Sequence, residues 1–217
     1  VTTTITTEGL PITSVGTVSH PTLAATNLAA STRRWRLTSA AVVDSAAEQR
    51  SAGWACWRGN AAGLGGWTFV TRISLTTLQA TGMGFFGLYG STAALATTLA
   101  LAAAINCIGI GFQRGTHTRW QLVANDGTGA PTLTDMGASF AIATGGVLTL
   151  FIAAPPNGSS VWVRAVDEVS GAVFEQEITA DLPTNTQFLS PRLFMNNGAT
   201  AAAVAYDCSG VYVETDF

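Results

Sequence analysis

Few residues in this chain have the type and spacing for chemistry. Glu175 and Glu177 stand two apart in Phe174-Glu-Gln-Glu-Ile178. On a strand that spacing puts both carboxylates on one face about 6.6 Å apart, close enough to act as the acid pair of a glycoside hydrolase. The same alternation, with Phe174 and Ile178 on the other side, reads more simply as a solvated face over a buried one. His20 and His117 are the two histidines. They are distant in sequence and lack metal-ligand spacing, so a histidine-based triad has little to draw on. Gly82-Met-Gly84-Phe-Phe-Gly87 fits the dinucleotide-binding GxGxxG by letter, but it opens no amphipathic helix and lacks the physical context. Cys56, Cys107 and Cys208 are odd in number and widely spaced. They read as buried free thiols suited to a reducing compartment, not as a disulfide framework or a metal knuckle. Asp126, Asp207, Asn196 and Asn197 carry oxygens of the kind that converge on Ca²⁺ in sandwich lectins. Turn chemistry accounts for all four, and neither a metal nor another cofactor is expected.

Recognition has more to work with than catalysis. Trp54, Trp57, Trp67, Trp120 and Trp162 offer flat faces for sugar rings, although most are expected in the core or at subunit contacts, where an indole buries a large apolar area. The candidate glycan site is Trp57, Arg58 and Asn60. These residues fall in a glycine-rich segment that reads as loop, with an indole to stack and a guanidinium and an amide to meet hydroxyls. Arg33-Arg34-Trp35-Arg36 is the one basic cluster. Pairing to carboxylates of a neighbouring subunit is preferred there over contact with anionic lipopolysaccharide.

Composition narrows the partners. Only 11% of residues are charged and 47% are hydrophobic, against about 25% charged in ordinary soluble domains. All ten basic residues are Arg, which tolerates interfaces better than the strongly hydrated ammonium of Lys. Such a surface is expected to be partly covered by copies of itself. The net charge of −3 offers no field to recruit a phosphate backbone, so nucleic acid is not expected. The longest apolar stretch, from Ala93 to Ile105 with Thr97 and Thr98 inside, is too short to span a bilayer, and no membrane insertion is expected.

The elements that must position these residues are strands. Residues 1–40 read as an extended arm and loops, a first solid strand is read from Arg33 to Val43, and residues 41–217 read as one all-β domain. The β-branched start of the arm is a hazard as a bare edge, so it is expected to pair with the sandwich or with a neighbouring subunit. Trp67 to Leu75 alternates. Phe85 to Tyr89 and Ile108 to Phe112 are short apolar runs bounded by glycine. Trp120 to Ala124 and Thr132 to Met136 flank the turn signal Asn125-Asp-Gly-Thr-Gly and predict a hairpin. Val147 to Ala154, Val161 to Glu168 and the strand around Phe174 to Ile178 predict a meander, and Leu189 to Met195 and Val204 to Glu214 close the chain. Ala93 to Ala104 is read as a short helix or a compact apolar loop against which another subunit packs. The pattern predicts an antiparallel β-sandwich.

Several motifs in this order resemble a family. Arg58-Gly-Asn-Ala-Ala-Gly-Leu-Gly-Gly-Trp, Asn106-Cys-Ile-Gly-Ile-Gly-Phe, Trp120-Gln-Leu-Val-Ala-Asn-Asp-Gly-Thr-Gly, Pro156-Asn-Gly-Ser-Ser, Thr179-Ala-Asp-Leu-Pro and Phe194-Met-Asn-Asn-Gly-Ala-Thr resemble a module of the structural proteins of tailed bacteriophages. The likeness runs from about Arg58 to Asp216. It implies a concanavalin A-like or laminin G-like jelly roll in a tail fibre, tailspike or head fibre. Such a protein is usually a homotrimer, is assembled with other virion proteins in the host cytoplasm, and is able to touch host-surface glycan. The hydrolytic branch of such folds carries Glu-x-Asp-x-x-Glu or a close variant. Glu175-Gln-Glu177-Ile-Thr departs from it, so the expectation is a chain that binds and assembles without catalysis. The alternatives are a polysaccharide-degrading tailspike-type glycosidase and a ligand-free protein that decorates the capsid.

Overall fold

The computed structural model describes residues 3–7 and 10–215, with side chains from Ile12 to Thr215. Val1 and Thr2 of the expected arm, and Asp216 at the end of the phage likeness, lie outside the described residues. Fifteen strands follow one another: β1 (Thr3–Thr7), β2 (Leu10–Val15), β3 (Thr17–Ser19), β4 (Trp35–Thr38), β5 (Ala46–Ser51), β6 (Trp67–Thr77), β7 (Met83–Tyr89), β8 (Cys107–Gln113), β9 (Gln121–Asn125), β10 (Thr132–Asp135), β11 (Leu148–Ala154), β12 (Val161–Asp167), β13 (Val173–Ile178), β14 (Ser190–Asn196) and β15 (Ala205–Thr215). Eight form one sheet in the order β1-β2-β5-β14-β7-β8-β9-β10, and seven form the other in the order β13-β12-β11-β6-β15-β4-β3. All neighbours are antiparallel. This is the expected all-β jelly-roll sandwich.

The period-2 pattern sets which side of each strand is buried. In β11 and β12, Leu148, Leu150, Ile152, Val161, Val163 and Ala165 face inward while Phe151, Trp162 and Arg164 face out. The inner faces meet in one core around Phe69, Phe86, Phe112, Trp120 and Tyr206, where edge-to-face ring pairs such as Phe112–Trp120 add directional packing to the area buried. Tyr206 resolves its hydroxyl by donating to the Leu193 carbonyl at 2.9 Å. The three cysteines are buried free thiols, and burial pushes the Cys208 thiol up to about 12.

Strands from the first forty residues enter both sheets. β2 pairs with β5, and β3 and β4 extend the second sheet beyond β15. The expected strand from Arg33 to Val43 is shorter than the sequence suggests, because Asn197 claims the chain after Thr38. Its side chain accepts from the Ser45 amide and donates to the Val42 carbonyl, and Asp44 takes a positive φ of 53°, so the segment turns away. β5 was hidden by its polar run Glu48-Gln-Arg50. Residues 93–104 form no α-helix; the one helical piece is a 3₁₀ turn at Leu101–Ala103. Several of the backbone groups that a helix would pair are taken instead by side chains of the sheet beneath.

Candidate functional site

Two places gather functional side chains. The first is the loop-bearing end of the sandwich. The segment after β5 meets the segment before β14 through an isolated bridge, Cys56 with Leu189, which brings Trp57 over Phe188 with ring centroids 5.4 Å apart and planes inclined by 25°. Trp54 is tilted against Phe188, with centroids 6.4 Å apart and planes inclined by 46°. Trp54 is 50% and Phe188 48% exposed, a large solvent-facing aromatic surface built from two loops.

The loops are held by their neighbours, not by the rings. Residues 58–66 fold back so tightly that a Cβ on Gly59 (φ +88°) would come within 1.8 Å of the Leu64 carbonyl oxygen. Arg58 spends its guanidinium on backbone carbonyls: Nε and Nη2 donate to Pro183 and Nη1 to Gly158, at 2.6 to 3.0 Å. It therefore ties three loops together at the base of the aromatic cluster, and burial lowers its pKa. Of the sequence-predicted site residues, the structure places Trp57 in the cluster, Arg58 behind it as a strut and Asn60 exposed at the loop tip. Phe188, which completes the stack, carried no sequence signal; only the pairing of Cys56 with Leu189 brings it there.

The second place is the outer face of the eight-stranded sheet. Residues 91–105 cross it as a strap. Leu101 and Ala104 are buried, with Leu95 and Leu99 partly so, on Met83, Phe85 and Phe194. Polar side chains of the sheet hold the strap's backbone. Arg192 donates to the Ser91 and Ala93 carbonyls, and Arg50 to that of Thr92. Glu48 accepts from the Leu95 amide, Gln113 from that of Leu101, and the Tyr89 hydroxyl from that of Ile105. Asn196 donates to the Leu99 carbonyl. Under the strap, Arg192 and Glu48 form a fully buried ion pair, which Arg50 joins at 3.2 Å. The Arg192 guanidinium also sits over the Tyr89 ring at 5.3 Å. Burial raises the Glu48 pKa against the pull of the two arginines and lowers that of Arg192.

The remaining candidates resolve as structure. Glu175 and Glu177 are exposed on the edge strand β13, and Glu175 pairs with Arg164 at 3.2 Å. Arg34 and Arg36 pair within the chain, both to buried Asp207 at 2.6 Å. Asp126 accepts from Thr128, bonds that hold its carboxyl below the usual range. Asn196 and Asn197 are satisfied by backbone partners. Among the described residues no group of three or more His, Cys, Asp or Glu side chains is placed to hold a metal.

No family model and no curated protein matches the sequence. The fold does have relatives. Lectin II from Ulex europaeus superposes with a TM-score of 0.61 at 12% identity, over 95% of this chain and 93% of the lectin. Arcelin-5, a lectin-like defence protein from Phaseolus vulgaris, gives 0.59 at 13% identity over 93% and 98%. A family 7 alginate lyase gives 0.53 at 11% identity over 84% of this chain and 80% of the enzyme. No virion protein is among these three. The lyase overturns the expectation of a chain without catalysis: that exclusion rested on a missing glycosidase motif, and an enzyme of another class stands on the same sandwich. The architecture of this chain is the concanavalin A-like jelly roll, shared by sugar-binding and polysaccharide-acting proteins.

Proposed function

We propose that this chain recognises polysaccharide through the rings of Trp54, Trp57 and Phe188, as part of a bacteriophage virion appendage. The observation that carries the reading is the three-ring cluster at the loop end, in which Trp54 and Phe188 are exposed and Trp57 is half-buried. A soluble domain gains nothing in stability by leaving an indole and a phenyl ring half in water, whereas the apolar faces of sugar rings stack on such surfaces. Arg58 preorganises the cluster by fixing its loops, and Asn60 at the adjoining tip supplies hydroxyl contacts. The virion setting rests on the ordered motifs from Arg58 onward. There a homotrimer would multiply weak single-site affinity, because the second and third contacts become intramolecular. Affinity electrophoresis against polysaccharide of a candidate host tests the reading. Wild type is expected to be retarded and Trp57→Ala to lose about tenfold in affinity. Equal migration of the two would remove the platform, and a chain that binds particles but no polysaccharide would mark a ligand-free decorating protein.

A second reading, cleavage of an acidic polysaccharide, is favoured by the buried Glu48–Arg192–Arg50 set under the strap. Ionisable groups kept out of water often mark functional sites, and a uronate-bearing chain would meet two guanidiniums there once the strap lifts. Alginate incubated with the protein would then gain new chain ends, faster in Leu101→Ala than in wild type; no new ends with either protein would discard this reading.

A further inference from the structure

We propose that the outer face of the seven-stranded sheet carries a second saccharide site, in which a linear glycan runs from a groove at β15 and β6 over the exposed rings of β11 and β12. It goes beyond the loop-end platform, sharing with it only the premise that this chain binds polysaccharide.

At its β15 end this face opens into a groove of about 760 Å³, lined by Thr32, Val70, Arg72, Thr149 and Tyr212 and also by Trp35, Val211 and Val213 from the inner side of the sheet, within the range of about 300 to 1,000 Å³ usual for ligand sites; Phe151 and Trp162 lie beyond it on the open face. Thr32 belongs to a wall, the loop before β4, which is pinned to the sheet by Arg34 and Arg36 on Asp207. Strand register defines the open face that continues from the groove. Tyr212, Val70, Phe151, Arg164 and Glu175 form one cross-strand row. Thr68, Ala153, Trp162 and Glu177 form part of the next. Phe151 is 36% and Trp162 51% exposed. Tyr212 and Phe151 lie two strands apart, about 10 Å, roughly the length of two sugar units.

Polar side chains on this face pair with one another. Arg72 donates to Thr149 at 3.0 Å and to Glu168 at 3.1 Å, and Thr149 also donates to Glu168. Arg164 is paired to Glu175, and the Tyr212 hydroxyl donates to Glu214 at 2.9 Å. This interleaving separates a glycan from a protein partner. The centre of a protein interface is depleted of charge, whereas here guanidiniums and carboxylates stand among the rings. A sugar chain presents the complementary pattern of apolar ring faces edged by hydroxyls.

The test uses the full chain with soluble alginate and soluble galactomannan as probes, comparing wild type, Trp57→Ala and the double variant Phe151→Ala/Trp162→Ala. Phe151 and Trp162 are both solvent-facing, and far-UV circular dichroism checks that the fold is kept. The double variant is expected to lose about tenfold in affinity for a bound probe, with its sedimentation coefficient unchanged. Affinity untouched in the double variant but lost in Trp57→Ala would overturn the groove and leave the loop-end platform standing. A wild-type dimer that becomes monomeric in the double variant while still binding glycan would assign this face to a second copy instead. Failure of wild type to bind either probe would overturn both sites together.

Discussion

The two outer faces of the sandwich start from the same alternating strands and end in opposite states. On the seven-stranded sheet the outward residues meet solvent, and Arg164 and Glu175 pair in water at little gain. On the eight-stranded sheet the outward residues include Phe85, Phe194, Glu48 and Arg192, and the strap 91–105 buries them all. Outward on a strand thus does not mean exposed, because a single long connection between β7 and β8 adds a third layer and converts surface charges into a buried ionic set. The strap's own carbonyls take up hydrogen bonds from both arginines, although Nε of Arg192 is buried without a partner.

That contrast is open to breakage, beginning with the buried charge. Arg192→Met leaves Glu48 without its main partner under the strap, and urea unfolding should show a loss of about 3–5 kcal/mol; a loss below about 1 kcal/mol would mean the pair is hydrated. Leu101→Ala removes the leucine packed over Gly111. It should cost about 2–4 kcal/mol and speed hydrogen exchange at the Leu95 and Ile105 amides. A smaller effect comes through His117, whose Nδ1 accepts from the backbone amide of Gln113, the residue that also anchors Leu101. Partial burial lowers the His117 pKa below its usual 6.5. The neutral ring's contribution is then fully present above 6.5 and is lost as pH falls through the folded-state value. The melting temperature should decline slightly below that pH in wild type and less in His117→Gln. The smallest effect is expected on the open face, where Trp162→Ala should alter stability by no more than about 0.5 kcal/mol. A larger loss there would show that this face too is covered.

Much of the sandwich was legible because apolar alternation repeats along β6, β11, β12 and β15, and because Asn125-Asp-Gly marks the β9–β10 turn. β5 was not, since Glu48 and Arg50 read as surface and become internal only through the strap. The strap itself reads as helix by propensity, yet its backbone partners come from residues far away in sequence. At the loop end, Trp57 was visible as an aromatic in a glycine-rich loop. Arg58 was visible too, but its role as a strut depends on Pro183 and Gly158, which no local pattern connects to it. Phe188 enters the cluster only through strand pairing. Sequence reads the faces of strands well, and reads poorly what distant loops lay over them.

Hydrogen exchange of the full chain with and without a polysaccharide that it retards in affinity electrophoresis tests the central claim directly. Recognition at the loop end predicts slower exchange in residues 52–66 and 182–189 on binding, with the strap 91–105 unchanged. Slowing or opening confined to the strap, with both loops indifferent to the polysaccharide, would contradict it.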